Sequence, residues 1–262
     1  MTILSKIFVY PIKALPGVQV NEVAITHGGS LCNDRRWAIA DRKGRLINAK
    51  NNNRVFLLKP IFDLVLGEVS FIENTEQNQT YQLDDAEGLS NYFTAKLGQP
   101  VFLKEDKQQG FPDDINASGP TMVSTASLKA VASWYPALSL DDVRARFRMN
   151  LEVSPAPTFW EDQLFHSEQA PKEVRIGRVK IHASNPCARC AVPMKNPESG
   201  EPYSEFYETF LSMREQTRPG WTDAACFDHW YRLGVNTRIS RSETGLNMTV
   251  GDAVSIELPA RD

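Results

Sequence analysis

The chain has 262 residues, of which 42% are hydrophobic and 23% are charged, and its formal net charge is -3 at pH 7. That length suits one large domain or two modest ones, and the composition is that of an ordinary globular protein. Because the net charge is slightly acidic and no apolar run approaches the ~18 residues of a spanning helix, we expect neither a nucleic-acid partner nor a membrane.

The N-terminal apolar run is interrupted by Lys6 and stopped by Pro11, so it is too short for a signal peptide or a membrane anchor. We therefore expect a cytoplasmic protein. In that reducing compartment the four cysteines are expected to be thiols or ligands rather than disulfides.

The first half of the chain is predicted to be mostly β-strand, because short apolar runs alternate with a period of two. The predicted strands are 18–20, 23–25, 37–39 with 46–47 as a hairpin, 55–58, 64–66, 69–72 and 101–103. Residues 73–80 are predicted to be a loop, and 89–97 a short helix that ends before Gly98 and Pro100. The polar stretch 107–120 is the best candidate for a domain boundary.

The second half opens with a predicted strand at 121–124 and a helix that Ser124 or Thr125 caps and Pro136 stops. The remaining predicted elements are a strand at 147–153, a hairpin at 174–181 turning near Gly177, an amphipathic helix at 203–216 and a closing hairpin at 246–256. The predicted fold is α+β and β-rich, with two β-barrel-like subdomains, 1–115 and 116–262, and a few peripheral helices.

The motif "NPCARC" holds two cysteines, Cys187 and Cys190, directly after a predicted strand. Zinc would need two more ligands, which Cys226 and His229 could supply only if the fold brought them close. A redox pair would need a helix immediately after the motif, and Pro193 disfavours one. The spacing leaves open a zinc site, a single thiolate ligand and two structural cysteines.

Arg189 lies between the two cysteines, and a neighbouring cation favours the thiolate form that binds soft metals. One thiolate of this kind is a good single ligand for a metal. The remaining donors would then come from a cofactor.

Six segments together resemble a known family. They are "YPIKALPGV", "NDRRWAIADRKGRLINAK", "GFPDDINASGPTMVSTASL", "FRMNLEV", "NPCARC" and "LNMTVGDAVSI". Their order is similar to that of MOSC-domain proteins with an N-terminal β-barrel extension. Within these, the chain resembles the mitochondrial amidoxime-reducing component and its bacterial relatives.

The resemblance implies that the chain binds the molybdenum cofactor, a pyranopterin whose dithiolene holds the metal. It makes Cys190 the metal ligand and the catalytic residue, and it gives Cys187 no role. It further implies contacts with the pterin and its phosphate from Lys13, Arg35, Ser124, Thr125, Arg148, Asn150 and Arg189.

The same residues have ordinary structural alternatives. Lys13 and Arg35 could be solvated charges at strand ends, and Ser124 and Thr125 could simply cap a helix. The sequence also departs from the family pattern, with Ala14 where serine is frequent and Lys50 where arginine is usual.

The activity implied by the resemblance is a molybdenum-dependent reduction of N-hydroxylated compounds such as amidoximes and hydroxylamines. Electrons are expected from a separate protein, a ferredoxin, a flavoprotein reductase or a cytochrome b5-like protein, because no iron-sulfur cluster motif is recognised in this chain. No side chain is assigned as a proton donor. The main alternative is a carrier of the molybdenum cofactor or of sulfur without its own reductase activity.

Overall fold

The computed structural model describes residues 1–74 and 77–257. The first half consists mainly of short strands. They are β1 (Ile3–Val9), β2 (Val18–Val20), β3 (Glu22–Ala24), β4 (Trp37–Asp41), β5 (Pro60–Asp63), β6 (Glu68–Asn74), β7 (Gln77–Gln82) and β8 (Val101–Glu105), with helix α1 (Ala86–Leu97) before β8.

The second half mixes strands with three helices in its described part. Its strands are β9 (Met122–Ser124), β10 (Leu151–Ser154), β11 (Glu173–Ile176), β12 (Val179–Ala188), β13 (Arg232–Arg238), β14 (Asn247–Thr249) and β15 (Val254–Glu257). Its helices are α2 (Thr125–Ser133), α3 (Leu140–Phe147) and α4 (Phe206–Gln216).

An eight-stranded sheet dominates the molecule, with the order β15-β11-β12-β13-β9-β10-β1-β2. Its strands pair antiparallel except β9 and β10, which are parallel. Ile3 in β1 forms a β-bridge with Ala253, just before β15, and Leu4 forms backbone hydrogen bonds with Gly251 and Asp252. The two ends of the sheet therefore meet, and the sheet curls back on itself. Smaller sheets pair β4 with β8, β3 with β14, and β5, β6 and β7 with one another.

Buried apolar side chains form three clusters among the described residues. One fills the curled sheet, one lies beneath the strands and helix of the first half, and one joins α2, α3 and α4. In the third, Tyr135 stacks on Phe206 with 4.6 Å between ring centroids, and Phe210 lies edge-on to Trp134. Phe147 at the end of α3 also packs on Phe210, at 5.6 Å between centroids. Each fully buried phenylalanine contributes about 1.5–3 kcal/mol, so this cluster fixes α2 and α3 against α4.

Several sequence predictions are confirmed. The Ser124 side chain accepts the Ser127 N–H at the start of α2, which ends at Ser133, before Pro136. The hairpin around Gly177 is formed by β11 and β12, and α1 and α4 lie where helices were predicted. The α+β, β-rich fold class is confirmed as well. No helix within the described residues has the length and apolarity needed to cross a membrane.

Other predictions are wrong. Residues 55–58 do not form a strand but belong mostly to a 3₁₀ turn, Asn53–Leu57. The loop predicted at 73–80 is instead part of the β6–β7 hairpin, in so far as the structure describes it. The last two strands do not pair with each other, because β14 joins β3 and β15 joins β11. The pairings of β14 and β15 are non-local, and a local pattern does not encode them.

The strand predicted at 147–153 begins only at Leu151, because Phe147 ends a helix that the prediction missed. Ser139 and Asp142 form a reciprocal capping box at the start of α3. The helix ends at Arg148, whose φ of 54° lies in the left-handed region.

Candidate functional site

A large cavity lies where the two halves of the chain meet, with a volume of about 1110 Å³. Ligand sites usually enclose roughly 300–1,000 Å³, so the space is sufficient for a large cofactor. Its walls come from the end of β1 and the turn after it, residues 48–56, the 109–121 loop, the C-terminal half of α3 and the segment around Cys190.

The cavity is rich in positive charge although the whole chain is slightly acidic. Nine lysine and arginine residues and five carboxylates line it among the described residues. The cations are Lys6, Lys13, Arg35, Lys50, Arg144, Arg146, Arg148, Arg189 and Lys195. Low-dielectric walls with an excess of one sign of charge attract ligands of the opposite sign. The cavity therefore suits an anionic ligand.

Cys190 is an exposed thiol on the cavity wall. It lies two residues beyond the end of β12, which runs through Ala188 and so carries the chain further into the motif than predicted. The backbone N–H of Val192 points at the Cys190 sulfur, 3.5 Å away. This arrangement presents one sulfur to the cavity and leaves it room for another ligand.

Cys187 has a different environment, because its side chain is buried. Its sulfur accepts a hydrogen bond from Arg189 Nη1 at 3.0 Å. The other end of the Arg189 guanidinium donates to the Phe147 carbonyl, the last residue of α3. Arg189 lines the cavity, but these contacts hold its guanidinium against α3.

Lys13 lies in the turn after β1 and is nearly buried. Its Nζ donates to the Phe111 carbonyl at 2.8 Å and to Asp113 Oδ1 at 2.6 Å. Burial lowers the pKa of Lys13, while the neighbouring Asp113 carboxylate works in the opposite direction.

Arg35 has a backbone φ of 49°, a left-handed conformation that costs a non-glycine residue about 1–2 kcal/mol. Its Nη1 bonds Asp34 Oδ2 at 2.5 Å and lies 3.4 Å from Asn150 Oδ1. Burial alone would lower the pKa of Arg35, but Asp34 and Asp113 outweigh burial and raise it.

The guanidinium of Arg148 lies over the Tyr10 ring, 4.4 Å from its centroid. The Arg35 guanidinium contacts the same ring at 5.2 Å. Among the described residues no acceptor hydrogen bonds to the Arg148 guanidinium. Burial lowers its pKa, although a guanidinium remains charged in proteins. Its N–H groups are therefore available to an anionic ligand.

Asn150 is buried and uses its side chain to join strands. Its Oδ1 accepts hydrogen bonds from the backbone N–H and hydroxyl of Thr121, both at 3.1 Å, and its Nδ2 donates to the Phe8 carbonyl at 3.0 Å. Asn150 therefore fixes the end of β1 against β9 and supports Arg35, rather than offering a free group to a ligand.

The structure does not bring Ser124 and Thr125 to the cavity wall. Ser124 is fully buried, and its hydroxyl contacts Ser127 Oγ at 2.8 Å and the Pro157 carbonyl at 3.1 Å. Thr125 Oγ1 lies 3.3 Å from Glu152 Oε2. Ser124 caps α2, as the structural alternative stated, whereas the Thr125 side chain makes no capping hydrogen bond within the described residues.

Arg146 is a cavity residue that the sequence analysis did not single out. Arg146 Nη1 donates to the carbonyls of Pro193 at 2.9 Å and Lys195 at 2.7 Å, just after Cys190. The Lys195 ammonium in turn reaches Asn53 Oδ1 at 2.9 Å, across the junction of the halves. Only recognition of α3 could have indicated Arg146, because the helix directs this side chain toward the Cys190 segment.

The zinc alternative finds no support. No group of three or more His, Cys, Asp and Glu side chains within the described residues could hold a metal ion, and that part of the chain includes Cys226 and His229. A single thiol with a separate ligand remains the arrangement that the geometry favours.

Comparison with known proteins gives two family matches. A family model described as "MOSC N-terminal beta barrel domain" matches residues 1–116, and one described as "MOSC domain" matches residues 116–255.

Curated relatives named molybdenum cofactor sulfurase are similar to the chain at low identity. The Drosophila ananassae protein is 22% identical over 86% of this chain and 30% of its own length. The human protein is 21% identical over 81% and 29%, and that of Oryza sativa subsp. japonica is 24% identical over 76% and 29%. The chain thus spans about 30% of the length of these relatives.

Among solved structures, the crystal structure of the YUAD protein from Bacillus subtilis aligns with 98% of this chain and 96% of its own. The TM-score is 0.41 and the identity 12%. A similarity at this level says nothing about function.

Proposed function

Because this chain belongs to the MOSC family, with a MOSC N-terminal beta barrel domain and a MOSC domain, we propose that its cavity binds the molybdenum cofactor through Cys190. The observation that carries the proposal is the exposed Cys190 thiol on the wall of a cavity with an excess of lysine and arginine. The names of the curated relatives refer to the same cofactor.

The residues present fit such a cofactor. Molybdenum takes soft thiolate ligands, and Cys190 is an accessible thiol with a backbone N–H directed at its sulfur. A phosphate needs fixed cations, which Lys13, Arg35 and Arg148 supply from the turns after β1 and α3 and from the segment before β4. The cavity volume of about 1110 Å³ accommodates a pterin together with a small substrate.

Each residue then has a defined part. Arg148, with unpaired N–H groups, and Arg35, held by Asp34, bind the anionic end of the cofactor. Asn150 keeps Arg35 in position, and Arg189 fixes the chain before Cys190 against α3. Ser124 and Thr125 are not given a binding role.

The reaction proposed is the reduction of N-hydroxylated compounds, in which an N–OH group takes up two electrons and two protons and releases water. When bound, the cofactor supplies the metal centre at which that oxygen is removed. The chain orients the cofactor and leaves the Cys190 side of the cavity open to the substrate. Electrons come from a separate redox protein, a ferredoxin, a flavoprotein reductase or a cytochrome b5-like protein, in a cytoplasm where the four free cysteines stay reduced.

A second candidate is a carrier that holds the cofactor or transfers sulfur without reducing a substrate. The curated relatives are named molybdenum cofactor sulfurase, and this name favours the carrier. The two candidates share the cofactor and differ only in catalysis.

The test compares wild type with Cys190→Ala, purified from a host that makes the cofactor. Wild type is expected to contain about one molybdenum per chain and to reduce benzamidoxime with an artificial electron donor. Molybdenum content and benzamidoxime reduction should each be at least tenfold lower in Cys190→Ala, because the thiolate ligand is gone.

Cys226→Ala, which removes a half-buried thiol outside the cavity lining, is the matched control and should retain metal and activity. If Cys190→Ala keeps its molybdenum, the ligand assignment fails. Wild type that contains molybdenum but reduces no N-hydroxylated compound would favour the carrier.

A further inference from the structure

Asp113 brings a negative charge from the chain itself to the cation group of the cavity. Its Oδ1 lies 2.6 Å from the Lys13 ammonium. The neighbouring Arg35 and Lys13 cations hold the pKa of Asp113 at about 2, so the group is a carboxylate at neutral pH.

Lys13 explains why a carboxylate lies there. Only 11% of its side chain is exposed, and a buried ammonium without a counter-charge is costly. The Phe111 carbonyl supplies one hydrogen bond but no charge. In the free chain Asp113 is therefore the counter-ion of Lys13.

The loop that carries Asp113 is anchored by hydrogen bonds before and after that residue. The Phe111 N–H bonds the Arg35 carbonyl at 2.8 Å, and the Gly119 N–H bonds the Thr237 carbonyl at 3.0 Å. Between these anchors the Asp113 side chain is 80% exposed, facing solvent at the cavity. Moving this carboxylate away from Lys13 would break one ion pair, of which only the carboxylate is exposed, and leave the apolar clusters intact.

We propose that Asp113 competes with the anionic ligand of the cavity for Lys13, and so sets the affinity of the site for anions. This inference rests on the proposed function in one respect, that the ligand carries a phosphate-like anion. Two anions on one ammonium repel each other, so the ligand binds only when the Asp113 carboxylate moves away.

Removal of the Asp113 charge is expected to strengthen anion binding, because the competitor and its repulsion disappear together. Inorganic phosphate is a suitable probe, with calorimetric titration at pH 7 and constant ionic strength. Asp113→Asn should bind phosphate about tenfold more tightly than wild type, equivalent to about 1.4 kcal/mol. Asp113→Ala should show the same gain, since the charge rather than the shape is responsible.

Asp114→Asn is the matched control, because it makes the same charge change one residue away. Asp114 Oδ1 accepts the Asn116 N–H at 2.9 Å, and no ion pair joins Asp114 to a cation among the described residues. Its phosphate affinity should stay within threefold of wild type. An equal gain in both variants would mean that net charge alone is responsible and would overturn the proposal.

A double-mutant cycle with Lys13→Met isolates the contact. With Lys13 removed, the Asp113→Asn substitution should change phosphate affinity less than twofold. Equal or weaker phosphate binding by Asp113→Asn than by wild type, or no binding by either, overturns the proposal. The two proposals can fail separately. If Asp113→Asn binds phosphate more tightly but wild type purified from a cofactor-making host contains no molybdenum, the proposed cofactor is contradicted and the competition by Asp113 is supported.

Discussion

Cys187 and Cys190 share one motif but have different environments. Cys190 is exposed at the cavity, whereas Cys187 is buried and accepts a hydrogen bond from Arg189. The sequence could suggest which cysteine is the ligand only by resemblance to a family. The role of Cys187 as an acceptor for Arg189 depends on the path of the chain after β12, which spacing does not determine.

Glu161 is a buried carboxyl outside the cavity. Its Oε2 accepts hydrogen bonds from the Ser124 N–H at 3.2 Å and the Ser127 hydroxyl at 3.0 Å, while its Oε1 has no hydrogen-bond partner in the described part of the chain. Burial, together with the adjacent Asp162, raises the pKa of Glu161 to about 7. The nearby cation Arg214 is paired with Asp162 and not with Glu161.

Glu161 makes stability depend on pH in a definite direction. The folded chain keeps the Glu161 proton up to about pH 7, whereas the unfolded chain releases it near 4.5, so the free energy of unfolding falls as pH rises between these values. The loss amounts to about 3 kcal/mol. Glu161→Gln should remove this part of the dependence, measured by urea unfolding from pH 5 to pH 8.

The exposed residue Glu208 provides the control for that measurement. Glu208→Gln should follow the wild-type curve throughout. A Glu161→Gln variant with the same pH dependence as wild type would show that Glu161 is ionised in the folded chain.

Helix α3 organises the candidate site more than any other element. Its last turn directs Arg146 to the carbonyls after Cys190, offers the Phe147 carbonyl to Arg189 and leads into Arg148 over Tyr10. The capping box at Ser139 was visible in the sequence, and with Val143 and Phe147 at helical spacing it could have revealed this helix.

Arg146→Lys is expected to loosen the segment that holds Cys190. The lysine side chain is shorter than that of arginine, so its ammonium does not reach the position of Nη1 between the Pro193 and Lys195 carbonyls, and the loss of the two hydrogen bonds should cost about 2 kcal/mol of unfolding free energy. The rate of Cys190 alkylation by iodoacetamide, followed by peptide mapping, should rise severalfold.

Arg45→Lys makes the same substitution at an arginine whose side chain is 74% exposed. Exposed ion pairs contribute about 0–1 kcal/mol, so stability and alkylation should stay near wild type. Lower stability of Arg146→Lys without faster alkylation would limit Arg146 to a role in the core.

At the scale of the whole molecule, the two halves share their sheets. Strand β1 pairs with β10 of the second half, and β3 pairs with β14. Leu4, Ile7 and Val9 from β1 are buried in the cluster of the curled sheet. The division at residues 115 and 116 remains a proposal about domains, and the two parts are interdependent in packing.

This sharing predicts that residues 116–262 do not fold alone. Without β1 the strand β10 becomes an exposed edge, and each missing apolar side chain leaves a void that costs about 2–5 kcal/mol. The isolated fragment should lack a cooperative thermal transition in circular dichroism, whereas the full chain should unfold in one step. A fragment that unfolds cooperatively near the temperature of the full chain would contradict this.

The sequence by itself determined the β-rich class, the cap of α2, the hairpin at Gly177 and, through six ordered segments, the family. These features rest on local patterns of polarity and capping, or on order along the chain. Tertiary structure decided which strands pair, which of the matched residues line the cavity and what each cation contacts. Arg148 faces the cavity with free donors, whereas Ser124 is buried at the start of α2, because burial and partner choice come from residues far apart in sequence.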